Sequence, residues 1–144
     1  MPKFPSEIIR ASIKAGSVYY FPEESFSPEH QYHYFVVLNR NPDTDEVIVL
    51  ACGSSKILKT LSRRRYCARE TFVIITPKEY SGFSEETIFD CNRTINPTLD
   101  DITAKYGDGS LKVKEEMGMS LVNKLRQGVI ASREIELRIK ALLK

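Results

Sequence analysis

Apolar and polar positions along the chain change period once, near residue 96. Before that point the apolar stretches are short and rich in β-branched and aromatic residues: Ser17-Val-Tyr-Tyr-Phe21, Tyr34 to Leu38, Val47 to Ala51, Thr71 to Thr76 and Thr87 to Cys91. The last of these has a continuation through Arg93-Thr-Ile95. Runs of this length and composition predict strands. Asn39 to Asp45, containing Asn-Pro-Asp-Thr-Asp, is strong turn chemistry, so the two runs that flank it are expected to pair as antiparallel neighbours. A weakly amphipathic stretch over residues 1–15, with Ile8, Ile9, Ala11 and Ile13, predicts a lead-in helix stopped by Gly16. Residues 22–32 form a polar loop long enough to suggest a functional role.

Beyond Asn96-Pro97 the spacing becomes helical. Asn96 is expected to cap a short helix with Pro97 at its first position and Asp100 and Asp101 in its first turn, ended by Gly107-Asp-Gly109. Met117, Leu121, Val122 and Leu125 share one face of a second helix over about 114–127, which Gly128 is expected to break. Ser132 is expected to cap a third, running from Arg133 to Leu143. Strands first and helices last, without βαβ alternation, predict an α+β fold: a small, strongly curved antiparallel sheet or barrel over about 14–96, packed by C-terminal helices over about 97–144. Repeats and interdomain linkers are absent, so residues 1–144 read as one domain.

Composition narrows the class. The chain of 144 residues is 42% hydrophobic and 28% charged, as for an ordinary globular protein. No apolar run reaches the roughly 20 residues needed to cross a bilayer, and the N-terminal residues do not resemble a signal peptide; a cytoplasmic protein without membrane partners is expected. Cys52, Cys67 and Cys91 lack metal-ligand spacing and fit reduced thiols. With two histidines, three cysteines and neither CxxC nor HxxxH, neither a metal site nor a cofactor is expected.

Charge adds a local feature that the net value of +2 conceals. Lys56, Lys59, Arg63, Arg64, Arg65 and Arg69 fall in one acid-free segment, while the rest of the chain carries 15 basic against 19 acidic residues. A concentrated cationic segment is the footprint of a phosphate-binding surface, although a solvated connector gives the same run.

Gly-rich phosphate loops, GxSxG, HExxH and paired-carboxylate motifs are absent. The candidate chemistry lies instead at strand ends: His33 before the hairpin, Ser54 and Ser55 after it, and Asp90-Cys-Asn-Arg-Thr94 after the fifth strand. If these ends meet in one cleft beside the cationic segment, His33 is placed to act as general acid or base and Arg93 to stabilise a phosphorane-like transition state. Ser54 and Ser55 would position a phosphate, and Asp90 would complete the set. Lys56, Lys59, Arg63, Arg64, Arg65 and Arg69, with Asn92, would track a nucleic-acid strand. Tyr19, Tyr20, Tyr32, Tyr34 and Tyr66 are candidates for base stacking or for half-buried core. Each polar group also has a structural alternative: a carbonyl bond for His33, turn chemistry for the serines, an ion pair or a backbone contact for Asp90 and Arg93.

The layout resembles the MazF/PemK-like toxins of bacterial toxin–antitoxin systems. Ala15-Gly-Ser-Val-Tyr-Tyr20 is similar to that family's opening Gly-Asp-Ile-Val strand, and Phe35-Val-Val-Leu-Asn39 to its Arg-Pro-Val-Val-Val-Leu-Ser strand. Val47-Ile-Val-Leu-Ala-Cys-Gly-Ser-Ser55 is similar to its strand ending in Thr-Ser, and Phe89-Asp-Cys-Asn-Arg-Thr-Ile95 to its Cys-Asp-Gln-x-Arg-Thr-Ile motif. The resemblance spans roughly residues 14–96. It implies an SH3-like barrel, a metal-independent endoribonuclease acting on single-stranded RNA, a homodimer, and a small antitoxin protein as partner. His33 stands where the family usually carries an arginine, Ser17 replaces an early aspartate, and Asp90-Cys-Asn-Arg is one residue shorter than its counterpart. A binding module on the same barrel, for nucleic acid or for a protein, is the alternative. The aromatics Phe26, Tyr32 and Phe83, expected to be exposed in loops, are the residues on which self-association would draw.

Overall fold

The computed structural model describes residues 5–26 and 31–144; residues 1–4 of the expected lead-in helix and 27–30 of the long loop lie outside the described residues. Among the described residues the sheet has six strands, all pairing antiparallel: β1 (Val18–Pro22), β2 (Tyr32–Val37), β3 (Leu50–Ser54), β4 (Phe72–Ile75), β5 (Thr87–Ile95) and β6 (Lys112–Lys114). Their spatial order is β4-β5-β3-β2-β1-β6. The ladder is open, because β4 and β6 each have one partner, but the sheet curls enough for its margins to touch. The Tyr80 hydroxyl, in the turn after β4, donates to the carbonyl of Glu115 just beyond β6, and Ser81 Oγ bonds the Glu115 carboxylate at 2.9 Å.

The expected hairpin forms, with Tyr34 opposite Gly53 and Val37 opposite Leu50. Asn39 organises its turn. Its amide donates to Asp45 Oδ2 and to the Val47 carbonyl, both at 2.9 Å, and its Oδ1 accepts from the Val49 amide at 2.6 Å. The turn is therefore held by one buried side chain, as well as by the proline and aspartates that predict it.

Alternation along the strands produces two cores. Val18, Val36, Leu38, Ala51, Phe89 and Cys91 face one side, where Leu121, Val122, Leu125 and Val129 of α4 (Met119–Ala131) cover them. Tyr19, Phe21, Phe35, Val37, Leu50 and Cys52 face the other, beneath α1 (Pro5–Ser12) and α3 (Leu99–Gly107). Helices thus cover both faces of the sheet, and the N-terminal α1 joins the C-terminal ones in doing so. No helix among the described residues is long and apolar enough to cross a membrane.

Several local expectations are corrected. The N-cap of α3 is Thr98, not Asn96; Thr98 and Asp101 form a reciprocal capping box. The helix expected from about 114 begins only at Met119, and Lys112–Lys114 is an edge strand on β1. Two lysines flanking one valine carry no helical or strand signal that sequence could separate. The turn at Gly16 makes this pairing possible: Met117 N–H bonds the Gly16 carbonyl at 2.8 Å, and a Cβ on Gly16 would lie 2.7 Å from the Met117 carbonyl oxygen. Gly128 does not break α4, which runs through it to Ala131. A Cβ there would sit 2.7 Å from Cys91 Sγ, so the missing side chain lets the helix seat directly on β5. Ser132 ends α4 instead of opening a long helix, and the last helix, α5 (Leu137–Ala141), is short and comes after Glu136. The cationic segment is not a plain loop, since Ile57–Arg63 forms α2 and Arg69–Thr71 a 3₁₀ turn.

Candidate nucleic-acid interface

The curvature of the sheet, and an irregularity in β5, bring the strand ends together. Ala51 pairs with Thr94 but Gly53 pairs with Phe89, so β5 accommodates extra residues between those two rungs. A bulge of this kind re-aims side chains. Here it turns Asp90 and Arg93 toward the end of β3 and Asn92 away from it.

The result is a cleft of about 230 Å³ lined by His33, Ser54, Lys56, Lys59, Arg63, Arg64, Asp90 and Arg93, with Phe26, Gln31 and Cys52 among its other walls. Five cationic side chains meet there, and Asp90 is the one carboxylate among the described lining residues. That carboxylate is already engaged. Its Oδ2 lies 3.3 Å from Arg64 Nε, and its Oδ1 accepts from the Asn92 backbone and side chain at 3.0 and 2.9 Å. Arg64 also donates to the Tyr66 hydroxyl at 3.1 Å, which together with Asp90 holds its guanidinium firmly protonated. The ion pair ties the cationic segment to the β5 bulge, while Lys56, Lys59 and Arg63 stay exposed.

His33 lies on β2 opposite Phe21, half-buried, with Nε2 fully enclosed and without a hydrogen-bond partner among the described residues. Burial pushes its pKa below the ordinary value, a backbone contact to Gly53 acts in the opposite sense, and the Lys56 charge pushes it down again. The imidazole is therefore neutral at pH 7. Phe26 stands edge-on to it, with ring centroids 4.7 Å apart, and its own ring lies 5.0 Å from the Arg93 guanidinium carbon. Arg93 donates to the Ser25 carbonyl. The short turn before Phe26 thus inserts an aromatic ring between the histidine and the arginine. Nothing in the sequence marked Phe26 for that position.

The serines divide. Ser54 Oγ accepts from the Lys56 amide at 3.1 Å, turn chemistry that also fixes the start of the cationic segment. Ser55 is exposed and lines the neighbouring groove with Tyr20, Tyr32, Tyr34, Phe83 and Thr87 rather than the cleft itself. Arg65 and Arg69 are exposed outside the cleft. Asn92 is 5% exposed, and its amide is consumed by Thr71, Asp90 and Ser132, so the structure assigns it to the scaffold instead of to a strand-tracking surface. Cys52, reached by the cleft, is a poor nucleophile, because burial raises its thiol pKa far above neutrality despite the nearby Arg93. Among the described residues, no group of three or more His, Cys, Asp or Glu side chains could hold a metal ion.

The tyrosines also separate by environment. Tyr19 is core, 1% exposed, and its burial pushes its pKa up to about 12. Tyr66 is exposed beside Arg64. Phe83, expected in an exposed loop, is buried against Tyr34, Tyr80 and Phe89, and Phe26 is half-buried. Of the three aromatics on which self-association was expected to draw, Tyr32 alone is exposed.

No family model matches the chain, and no curated protein matches it.

Proposed function

We propose that this protein is a toxin-type endoribonuclease that cleaves single-stranded RNA with protein groups alone, on a curved sheet related to the MazF-like SH3 barrel. The observation that carries the reading is the cleft, where a neutral imidazole, a serine hydroxyl and five cations meet with one carboxylate, itself already paired. Such a site attracts a phosphodiester backbone, and its neutral imidazole can accept a proton when the Phe26 ring turns away and opens it to the substrate. In the reaction, His33 takes the proton of a ribose 2′-hydroxyl as its oxygen bonds the adjacent phosphorus. The bond from phosphorus to the 5′-oxygen breaks, that oxygen takes a proton from solvent, and His33 releases the proton it accepted to solvent. The upstream fragment keeps a cyclic phosphate and the downstream fragment a 5′-hydroxyl. Arg93 and the neighbouring lysines offset the charge that builds on the non-bridging oxygens. The same reading brings a homodimer and a small antitoxin protein that covers the RNA groove.

Phe26 favours a second reading. It encloses the imidazole on the side of Arg93, and a site that stays closed in this way is a nucleic-acid-binding module without turnover. The two differ in one experiment. Incubation of the protein with labelled single-stranded RNA in the presence of a chelator should give fragments ending in a cyclic phosphate, and a substrate lacking the 2′-hydroxyl at the cut should resist. His33→Ala should abolish turnover and preserve RNA affinity. Binding without cleavage at any site would establish the module; strict dependence on added magnesium would sink the proposed chemistry.

A further inference from the structure

The cleft does not end at His33. Gln31, His33, Ser54 and Lys56 form one wall of it and also of the neighbouring groove, and that groove continues through Tyr20 and Tyr32 onto the β6 edge. Along this path the chemistry changes from cationic to aromatic. Tyr20 is central, with ring centroids 5.1 Å from Tyr32 and 4.6 Å from Tyr34 at tilts of 43° and 40°. Register explains the cluster. Tyr20 is directly opposite Tyr34 on β2 and Lys112 on β6, and Pro22 opposite Tyr32, so the rings share one face of the sheet. Lys114 Nζ stands 5.3 Å from the Tyr20 ring, and Tyr32 remains 39% exposed.

A cluster of three tyrosines needs a reason to lie at the surface beside two exposed lysines on a strand that carries little else. Core packing accounts for Tyr34, which packs on Phe83 and donates its hydroxyl to the Gly82 carbonyl at 3.1 Å, but not for Tyr20 and Tyr32, which belong to neither core. Aromatic faces with adjacent ammonium groups, continuous with a cationic cleft, match one occupant: the bases and phosphates of a single strand. Every base offers a π-face, and each lysine can offset one phosphate. Glu85 is the opposing acid at the Tyr34 end of the groove, and the described residues lining the Tyr20–Lys114 end include no carboxylate.

We infer that Tyr32, Tyr20, Lys112 and Lys114 form a base-stacking subsite for single-stranded nucleic acid, extending the strand's path from the cleft across β2 and β1 to the β6 edge. This inference rests on the nucleic-acid reading of the cleft. It assigns β6, which no sequence motif marks, a role in holding the strand beyond the scissile position. Affinity then depends on length: an oligonucleotide that fills only the cleft misses the platform.

The probes are fluorescently labelled 2′-O-methyl oligoadenylates of about 4 and about 12 nucleotides, which lack the attacking hydroxyl and so report binding alone, with matched single-stranded DNA as a second arm. Tyr32→Ala should weaken binding of the longer probe about 5- to 150-fold and barely change the shorter one. Tyr32→Phe should restore it. A Lys112→Gln, Lys114→Gln double variant should flatten the slope of log affinity against log salt by about 1.4 for the longer probe. These lysines are exposed, so this second variant tests the subsite without disturbing the core. Wild-type affinity for the longer probe in both variants overturns the subsite. If Lys59→Ala, Arg63→Ala loses affinity in that same experiment, the cleft reading survives. Failure of the wild-type protein to bind either probe overturns both. A change in sedimentation on Tyr32→Ala with no change in probe affinity makes the patch a contact between copies of this chain and also overturns the subsite.

Discussion

Replacing Asn92 with alanine tests how the candidate site is held in place. The Asn92 amide donates to Thr71 Oγ1 at 2.8 Å and to Asp90 Oδ1 at 2.9 Å, and its Oδ1 accepts from Ser132 Oγ at 2.7 Å. One side chain therefore joins the β5 bulge to the 3₁₀ turn after the cationic segment and to the end of α4. It is 5% exposed, so water replaces it poorly. Neutral hydrogen bonds contribute about 0.5–1.5 kcal/mol each, bonds to a charged partner about 1.5–3, and a buried group left without a partner costs about 1–3. Two bonds here are neutral and one goes to the Asp90 carboxylate, which keeps Arg64 and the Asn92 backbone as partners. Partial relaxation of Ser132, which also accepts from the Glu134 amide, recovers some of the loss. The expected destabilisation is roughly 2–4 kcal/mol, which for a chain of this length lowers Tm by about 6–15 °C. Urea unfolding with an unchanged m-value, alongside thermal melts, measures it. A destabilisation below about 0.5 kcal/mol would refute the network as a structural element. So would a loss of RNA affinity at wild-type stability, which would return Asn92 to the binding surface.

Three further outcomes are expected. Gly128→Ala should destabilise the protein by about 0.5–2 kcal/mol in chemical unfolding, because the new methyl meets Cys91 Sγ at 2.7 Å and overpacking outweighs the gain of about 1 kcal/mol in helix propensity; a stabilised variant would show that α4 can shift off β5. The folded protein disfavours protonated His33, so its unfolded state binds the proton more readily. Stability from this group is then complete above the unfolded pKa of about 6.5 and falls as pH drops through and below it; pH-dependent unfolding should show that loss in the wild type and a shallower one in His33→Gln. By the same cause, the acid limb of any RNA cleavage should have its midpoint below about 6.5, and a midpoint above that value would exclude His33 as the base.

Much of the secondary structure was readable because it depends on neighbours in sequence. The hairpin from Tyr34 to Ala51 declares itself by two apolar runs around Asn-Pro-Asp-Thr-Asp, and its pairing arises from proximity. Strand β5, the Thr98–Gly107 region and the cationic concentration over residues 56–69 are likewise local properties. Boundaries that failed were those in which a distant group decides. Gly128 looks like a helix breaker until Cys91 lies under it, and Ser132 looks like the cap of a C-terminal helix until Asn92 binds it from β5. Lys112-Val-Lys114 becomes a strand only because β1 has an unpaired edge to offer it.

The candidate site divides in the same way. Sequence determined which residue types were available: an imidazole and paired hydroxyls at the two ends of one hairpin, a dense cationic run, and Asp90 and Arg93 on a later strand. Which of them meet was decided by tertiary structure, because sheet curvature and the β5 bulge set where strand ends point, and both arise from pairing between segments far apart in the chain. The same pairing turned Asn92 inward while its neighbours Asp90 and Arg93 faced the cleft. It set Phe26 between His33 and Arg93, and it gathered Tyr20, Tyr32 and Tyr34 into one patch while burying Tyr19. Identity and charge are carried by single residues, so a linear reading recovers them; direction depends on which strand lies alongside, and only the folded chain supplies that.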